Sequence, residues 1–318
     1  MSPRFPTAVA ALALLAAACG SSTSTTEAPA TTAATTSATT AIAEVSAFPV
    51  TVETGNGSVT IEARPERIVS LSPTSTEVLF AIGAGNQVVA VDNQSNYPAE
   101  APVTDLTGFD PNLEAIAGYG ADLVVLMYDP GEVQAGLEAL GIPVILHPAA
   151  WTLEDAYAQI EQVGQATGHS EDALDLVEFM RSGIEGVGGV ADAGGATYYH
   201  ELSPDFYTAT SATFIGSLYT MLGLVNIADA ADPDGYGYPQ LSAEHILAED
   251  PAFIFLADTK CCGQVAEMVG ERPGWSALTA VQSGSIVELD DDVASRWGPR
   301  VVGLVETIAA ALDAQLSE

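Results

Sequence analysis

Basic residues are nearly missing from this chain. Eight lysines and arginines stand against 42 aspartates and glutamates, a formal net charge of −34 over 318 residues. Nucleic acid is therefore excluded as a partner, because phosphate recognition needs clustered Lys and Arg. The acid surplus itself reads as a solubility or salt adaptation. Long apolar runs are lacking too. Ala8–Ala18 gives eleven residues, well short of the roughly 20 that span a bilayer, and no second hydrophobic span follows. Signatures of common enzyme chemistry are also absent. There is no G-x-S-x-G elbow, no Walker loop and no G-x-G-x-x-G after a strand, and His200-Glu201 lacks the second histidine of a zinc-protease helix. The chain is not expected to be an enzyme, and no catalytic residue, cofactor or resident metal is assigned. Cysteine occurs three times, as Cys19 and the adjacent pair Cys261-Cys262.

What is present begins at the N-terminus. Arg4 and the apolar run after it have the size of a secretory signal. The run ends in Leu15-Ala16-Ala17-Ala18-Cys19-Gly20, with the small side chains a signal peptidase accommodates. This stretch resembles a bacterial lipobox, in which the cysteine takes lipid and becomes the new N-terminus. Leu15 stands one position early, with Ala16 in its usual place. An ordinary signal peptide cut after Ala-x-Ala is the competing reading. Residues 20–48 are almost wholly Ser, Thr, Ala, Glu and Pro. Such a segment has too little apolar bulk to offset ordering entropy and reads as a flexible tether.

The rest alternates short apolar runs with helical patterns. Val50–Glu53 and Ser58–Glu62 flank Gly55-Asn56-Gly57 as a β-hairpin. Strands are predicted at 67–71, 88–91, 123–126 and 144–146, then at 197–201, 253–257 and 285–289. Helices are predicted at 73–82, from Glu171 towards Val187 behind a Ser170 cap, at 213–222 and at 299–316. In the long helix Leu174, Val177, Met180 and Ile184 supply the apolar stripe, while Gly183, Gly186, Gly188 and Gly189 weaken its far end. An internal echo divides the chain. Glu114-Ala-Ile116 precedes Leu123–Leu126 at the offsets by which Glu244-His-Ile246 precedes Phe253–Leu256, with cap candidates Asn112 and Ser242. The fold class is α/β: two Rossmann-like lobes joined by a single long backbone helix, with a ligand cleft between them. The expected domains are a signal peptide at 1–19, a linker at 20–48, a first lobe at 49–168, a bridging helix at 169–191 and a second lobe at 192–318.

Four segments then carry a resemblance. Arg67-Ile-Val-Ser-Leu-Ser-Pro-Thr-Ser-Thr-Glu77, Asn112-Leu-Glu-Ala-Ile116, Tyr238-Pro-Gln-Leu-Ser-Ala-Glu244 and Arg296-Trp-Gly-Pro-Arg300 resemble, in order and spacing, the substrate-binding proteins of cobalamin and iron-siderophore ABC importers. The resemblance implies a monomer that hands a cobalamin or iron-chelate ligand to a permease dimer driven by an ATPase. It also implies that Glu114 and Glu244 dock on permease arginines; a carboxylate near a helix N-terminus is the bland alternative. By family position Ser72, Pro73, Thr74, Asp92, Gln94, Tyr97 and Tyr128 face the ligand from the first lobe, and Tyr238, Asp292 and Arg296 from the second. Gln94 and Met127 stand where cobalamin binders often carry aromatics. The implied location is the outer face of the bacterial cytoplasmic membrane, held by lipid on Cys19.

Arginine scarcity bears on the ligand. Beyond the signal peptide only Arg64, Arg67, Arg181, Lys260, Arg272, Arg296 and Arg300 are basic. An anionic catecholate wants an arginine cluster, and only Arg296 is placed to serve; a corrinoid or hydroxamate fits better. Haem, with Tyr or His ligands, is an alternative. Cys261 and Cys262 follow a strand and are expected on the cleft rim, as a vicinal disulfide or, less readily, a soft-metal contact. A bare metal held by His147, His200 and Glu201 is a further alternative.

Overall fold

The computed structural model describes residues 48–188 and 193–316. The expected signal peptide, Cys19 and all but the last residue of the tether lie outside the described residues. The chain enters through a hairpin of β1 (Val50–Thr54) and β2 (Gly57–Ile61), in which Thr54 pairs with Gly57. The turn is thus the two residues Gly55-Asn56, and Gly57 opens the second strand at φ +100°, a conformation that disfavours a Cβ.

Two parallel sheets follow. The first joins β3 (Ile68–Leu71), β4 (Val88–Val91), β5 (Leu123–Leu126) and β6 (Val144–Leu146) in the order β4-β3-β5-β6. The second joins β7 (Thr197–Glu201), β8 (Val225–Asn226), β9 (Phe253–Leu256) and β10 (Ile286–Glu288) in the order β10-β9-β7-β8. Read from the other edge this is the same winding: second strand, first, third, fourth. The echo in the sequence is therefore an echo in topology. β3, β5 and β9 are buried along their whole lengths, as strands covered on both faces must be. The hairpin turn closes one sheet edge. Asn56 donates to the Val144 carbonyl at 2.9 Å and accepts from the Leu146 N–H at 3.0 Å, satisfying backbone groups of β6.

One face of each sheet joins a common core. Ile68, Leu123 and Ile145 share a continuous apolar cluster with Met180, Val305, Tyr198 and Phe255. The opposite faces bury separate clusters, around Val69 and Val124 in the first lobe and Ile254 and Leu256 in the second. The helix Ser170–Gly188 carries the chain from the first lobe towards the second. Ser170 is its first helical residue rather than its cap, and the His169 carbonyl accepts the Ala173 N–H. The stripe also differs from expectation. Leu174 is exposed, and Ala173 joins Val177, Met180 and Ile184 in the core. At 100° per residue, position 173 lies within the arc of the other three, while 174 lies beyond its edge.

The glycines of this helix have unequal roles. A Cβ at Gly183 would stand 2.8 Å from Val302 of the C-terminal helix Val301–Leu316, so glycine there permits close helix packing. A Cβ at Gly186 would meet nothing within 4 Å. Gly186→Ala should therefore stabilise the protein by about 0.5–1 kcal/mol through helix propensity alone. Gly183→Ala should show no gain or a loss. Urea denaturation of the two variants checks the contrast, and equal effects would contradict it.

Candidate functional site

The carboxyl ends of the first sheet's strands define a cleft. Ser72 directly follows β3 and caps the helix Pro73–Ala81 by accepting the Ser75 N–H, which sets Pro73 and Thr74 at the mouth. Asp92 and Gln94 follow β4, Met127 follows β5, and Gly108 and Phe109 complete this wall. The opposite wall is Asp292, Ser295, Arg296 and Trp297, beyond β10. Together these residues line a cavity of about 240 Å³ between the lobes. The cavity lies where the strand order reverses, as expected of open α/β sheets.

Of the residues singled out from sequence, Ser72, Pro73, Thr74, Asp92, Gln94, Asp292 and Arg296 are brought together here. Tyr97 is not; it lines a neighbouring hollow with Glu77 and stacks its ring 4.4 Å from the Arg300 guanidinium carbon. Tyr128 and Tyr238 are half-exposed and outside the cavity lining, as are Cys261 and Cys262. Sequence reasoning missed Gly108, Phe109, Ser295 and Trp297. Trp297 sits inside the quoted Arg296–Arg300 segment, and Phe109 is an aromatic just before the Asn112 cap, so both left a faint signal.

Arg296 is committed within the protein. Its guanidinium donates to Glu77 at 2.8 Å, Asp292 at 2.7 Å, the Gln94 carbonyl at 2.9 Å and Asn96 at 3.1 Å. Arg300 donates to the same Glu77 carboxylate at 2.6 and 2.9 Å. Glu77 is 3% exposed, so two arginines of the second wall clamp one buried carboxylate of the first. Arg296 thus lines the cavity with its guanidinium already paired. Among the acids, burial raises the Asp92 carboxyl, partly offset by the Gln94 and Ser95 N–H groups, and its Oδ2 has no hydrogen-bond partner. Burial alone would also raise Asp292, but hydrogen bonds from Lys260 and Asn96 outweigh it and hold the carboxyl low.

Cys261 and Cys262 form a vicinal disulfide in the short helix Thr259–Cys262. The Asp291 carboxylate accepts from the N–H groups of Thr259, Lys260 and Cys261, and Lys260 reaches Asp290 at 2.6 Å and Asp292 at 2.9 Å. The disulfide turn is thus tied to the cleft wall without lining it. Glu114 and Glu244 are exposed in the first turns of helices capped by Asn112 and Ser242, whose Ile116 and Ile246 are buried. The metal alternative fails on geometry. His147 pairs with Gln162 at 2.9 Å, His200 with the Tyr219 hydroxyl at 2.9 Å, and burial pushes both imidazoles down to about 4. Glu201 is held by Arg272 at 2.5 and 2.6 Å. Among the described residues no three His, Cys, Asp or Glu side chains gather as metal ligands.

Beside Glu201 lies Asp258, fully buried, its carboxyl held well above the usual range by burial and by the neighbouring carboxylate. A carboxyl raised by folding favours the protonated state, so its contribution to stability falls as pH rises above the unfolded value near 4. Asp258→Asn removes that loss. Its stability relative to the unsubstituted protein should improve between pH 5 and pH 8 in urea titrations; a pH-independent difference would contradict the assignment.

Comparison with known proteins places this geometry. Residues 68–293 match the family described as periplasmic binding protein. An uncharacterized ABC transporter substrate-binding lipoprotein of Bacillus subtilis, YvrC, is 31% identical, covering 85% of this chain and 87% of its own length. A cobalamin-binding protein of Halobacterium salinarum is 28% identical over 83% of this chain and 74% of its own. The crystal structure of the periplasmic vitamin B12 binding protein BtuF of Vibrio cholerae is similar with a TM-score of 0.64 at 26% identity, covering 80% of this chain and 98% of that one. With the family match running through both sheets, the chain belongs to the periplasmic binding protein family.

Proposed function

We propose that the protein is the substrate-binding subunit of an ABC importer and captures an uncharged or weakly charged chelate, a corrinoid first, in the interlobe cleft. The observation that carries the ligand class is the state of the cations. Among the described residues every lysine and arginine is already engaged: Arg64 and Arg67 on backbone carbonyls, Arg181 on Glu154, Lys260 on Asp290 and Asp292, Arg272 on Glu201, and Arg296 and Arg300 on Glu77. Arg67 also precedes β3, at the opposite end of the strand from the cleft. An anionic catecholate would find no free counter-charge, whereas the amide fringe of a corrinoid needs only hydrogen-bonding groups such as Thr74, Gln94 and Asp292 and an apolar wall such as Phe109 and Trp297. Similarity to relatives named for cobalamin supports the same reading. Haem, as the second candidate, gains less: the buried His147 and His200 are both hydrogen-bonded.

Ligand titration by thermal shift tests this. Cobalamin or cobinamide should raise the melting temperature with concentration, by about 2.7 kcal/mol of added stability at 100 times Kd. A response confined to haem or to a ferric catecholate would overturn the ligand class.

The tether and the paired acids fit delivery. Lipid on Cys19 would hold the protein at the outer face of the cytoplasmic membrane, and Glu114 and Glu244, one per lobe, would set its orientation on basic permease residues. In cells, Cys19→Ser should release the protein from the membrane fraction. Glu114→Ala with Glu244→Ala should leave it there with ligand affinity intact and cut uptake by at least about tenfold. Retention of the serine variant, or lost ligand binding in the double variant, would refute the respective role.

A further inference from the structure

We infer that Glu77 is a specificity-determining residue: by holding Arg296 and Arg300 from behind the cleft wall, it makes the site reject anionic ligands. The inference rests on the reading of the cleft as the ligand site. Arg296 is the cation lining the cavity, and its charge is met by Glu77 on one side and Asp292 on the other, at 2.8 and 2.7 Å. Arg300 spends its charge on the same Glu77 carboxylate from the adjoining hollow. At the wall Arg296, Arg300 and Lys260 thus stand against Glu77, Asp292 and Asp290, with the Asp92 carboxyl, raised by burial, across the cavity. Glu77 is buried and absent from the cavity lining, so it acts through Arg296 rather than by touching ligand.

Removing its charge changes the account. With glutamine at position 77, Arg296, Arg300 and Lys260 would be left with Asp290 and Asp292, and the balance at the wall shifts by one charge towards the cations. In a partly desolvated site that shift attracts anions strongly. A merely structural role makes a different prediction. Breaking a buried ion pair destabilises the fold and weakens all ligands alike, whereas loss of a charge filter shifts the ratio between ligands of different charge.

The test therefore uses one macrocycle in two charge states: a dicyano corrinoid with its peripheral amides intact, and the same ring with those groups hydrolysed to carboxylates. Both are titrated by calorimetry into the intact protein, Glu77→Gln, Glu77→Asp and Asp292→Asn, at low and high salt. The unsubstituted protein should prefer the amide form. Glu77→Gln should reduce that preference at least about tenfold, with the gain for the carboxylate form fading in high salt. Glu77→Asp, which keeps the charge, should keep the preference. Asp292→Asn should reduce it in the same direction, and decides the matter if Glu77→Gln does not fold. An unchanged ratio in these charge-removing variants, or an equal loss for both ligands, overturns the inference. If the unsubstituted protein binds neither corrinoid, the corrinoid reading fails by itself, and a ferric trihydroxamate set against a ferric tris-catecholate repeats the comparison. Silence from that pair as well would overturn the cleft as the ligand site and the charge filter with it.

Discussion

A single buried carboxylate holds the architecture of the cleft. Glu77 sits on the helix that follows β3, and the two arginines that clamp it lie beyond β10 at the other end of the chain. A carboxylate taken out of water loses several kcal/mol of hydration, and only close, well-directed partners offset that. Here the offset comes from across the cleft, because the carboxylate belongs to the first lobe and both arginines to the second. Any motion that separated the walls would leave an uncompensated charge in the interior. The continuous apolar core through the long helix resists the same motion from behind. The cleft is consequently a preformed feature of a stiff frame, in keeping with a site that orders few groups when it binds.

The duplicated winding shows how one motif was put to two uses. In the first lobe the strand ends carry Ser72, Asp92 and Met127 and open onto the cavity. The equivalent places in the second lobe carry Glu201 and Asp258, and Arg272 fills them, lying over the Trp275 ring at 4.6 Å. That end is plugged by its own ion pair. The second lobe reaches the cavity through the stretch 292–297 instead, which Lys260 and Asp291 brace against the disulfide turn. What stays symmetric is peripheral: the Asn112 and Ser242 caps, the buried isoleucines and the exposed glutamates.

Strands and caps were legible in the sequence because the forces behind them are local. A run such as Leu123–Leu126 has no alternative to burial, and Asn112 and Ser242 answer a need for acceptors that every helix start has. The long helix was legible in extent but not in phase, since Leu174 is apolar yet lies off the stripe that Ala173 completes. The cavity was legible where residues follow a strand directly. It was not legible in Tyr97, which lies against Arg300, because ring stacking on a cation is decided by a partner 203 positions away. The Glu77–Arg296 pair spans 219 residues, and no periodicity carries information over such a distance. For that reason the place of Arg296 at the cavity is legible in the sequence, but its pairing with Glu77 is not.

The acid surplus and the clamp then belong to one problem. A chain with a net charge of −34 surrounds itself with a field that repels anions, but at physiological salt that field decays over about 8 Å. Long-range repulsion therefore cannot discriminate among ligands already in contact with the cleft. Discrimination at contact depends on which charges stand uncompensated within a few ångströms. With so few cations, one left unpaired in the cleft would be the strongest attractor for any anion that reached it. Pairing Arg296 with Glu77 and Asp292 removes that attractor while keeping the guanidinium's geometry for holding the wall. Scarcity of basic residues and their pairing thus go together: among the described residues each lysine and arginine is engaged within the protein.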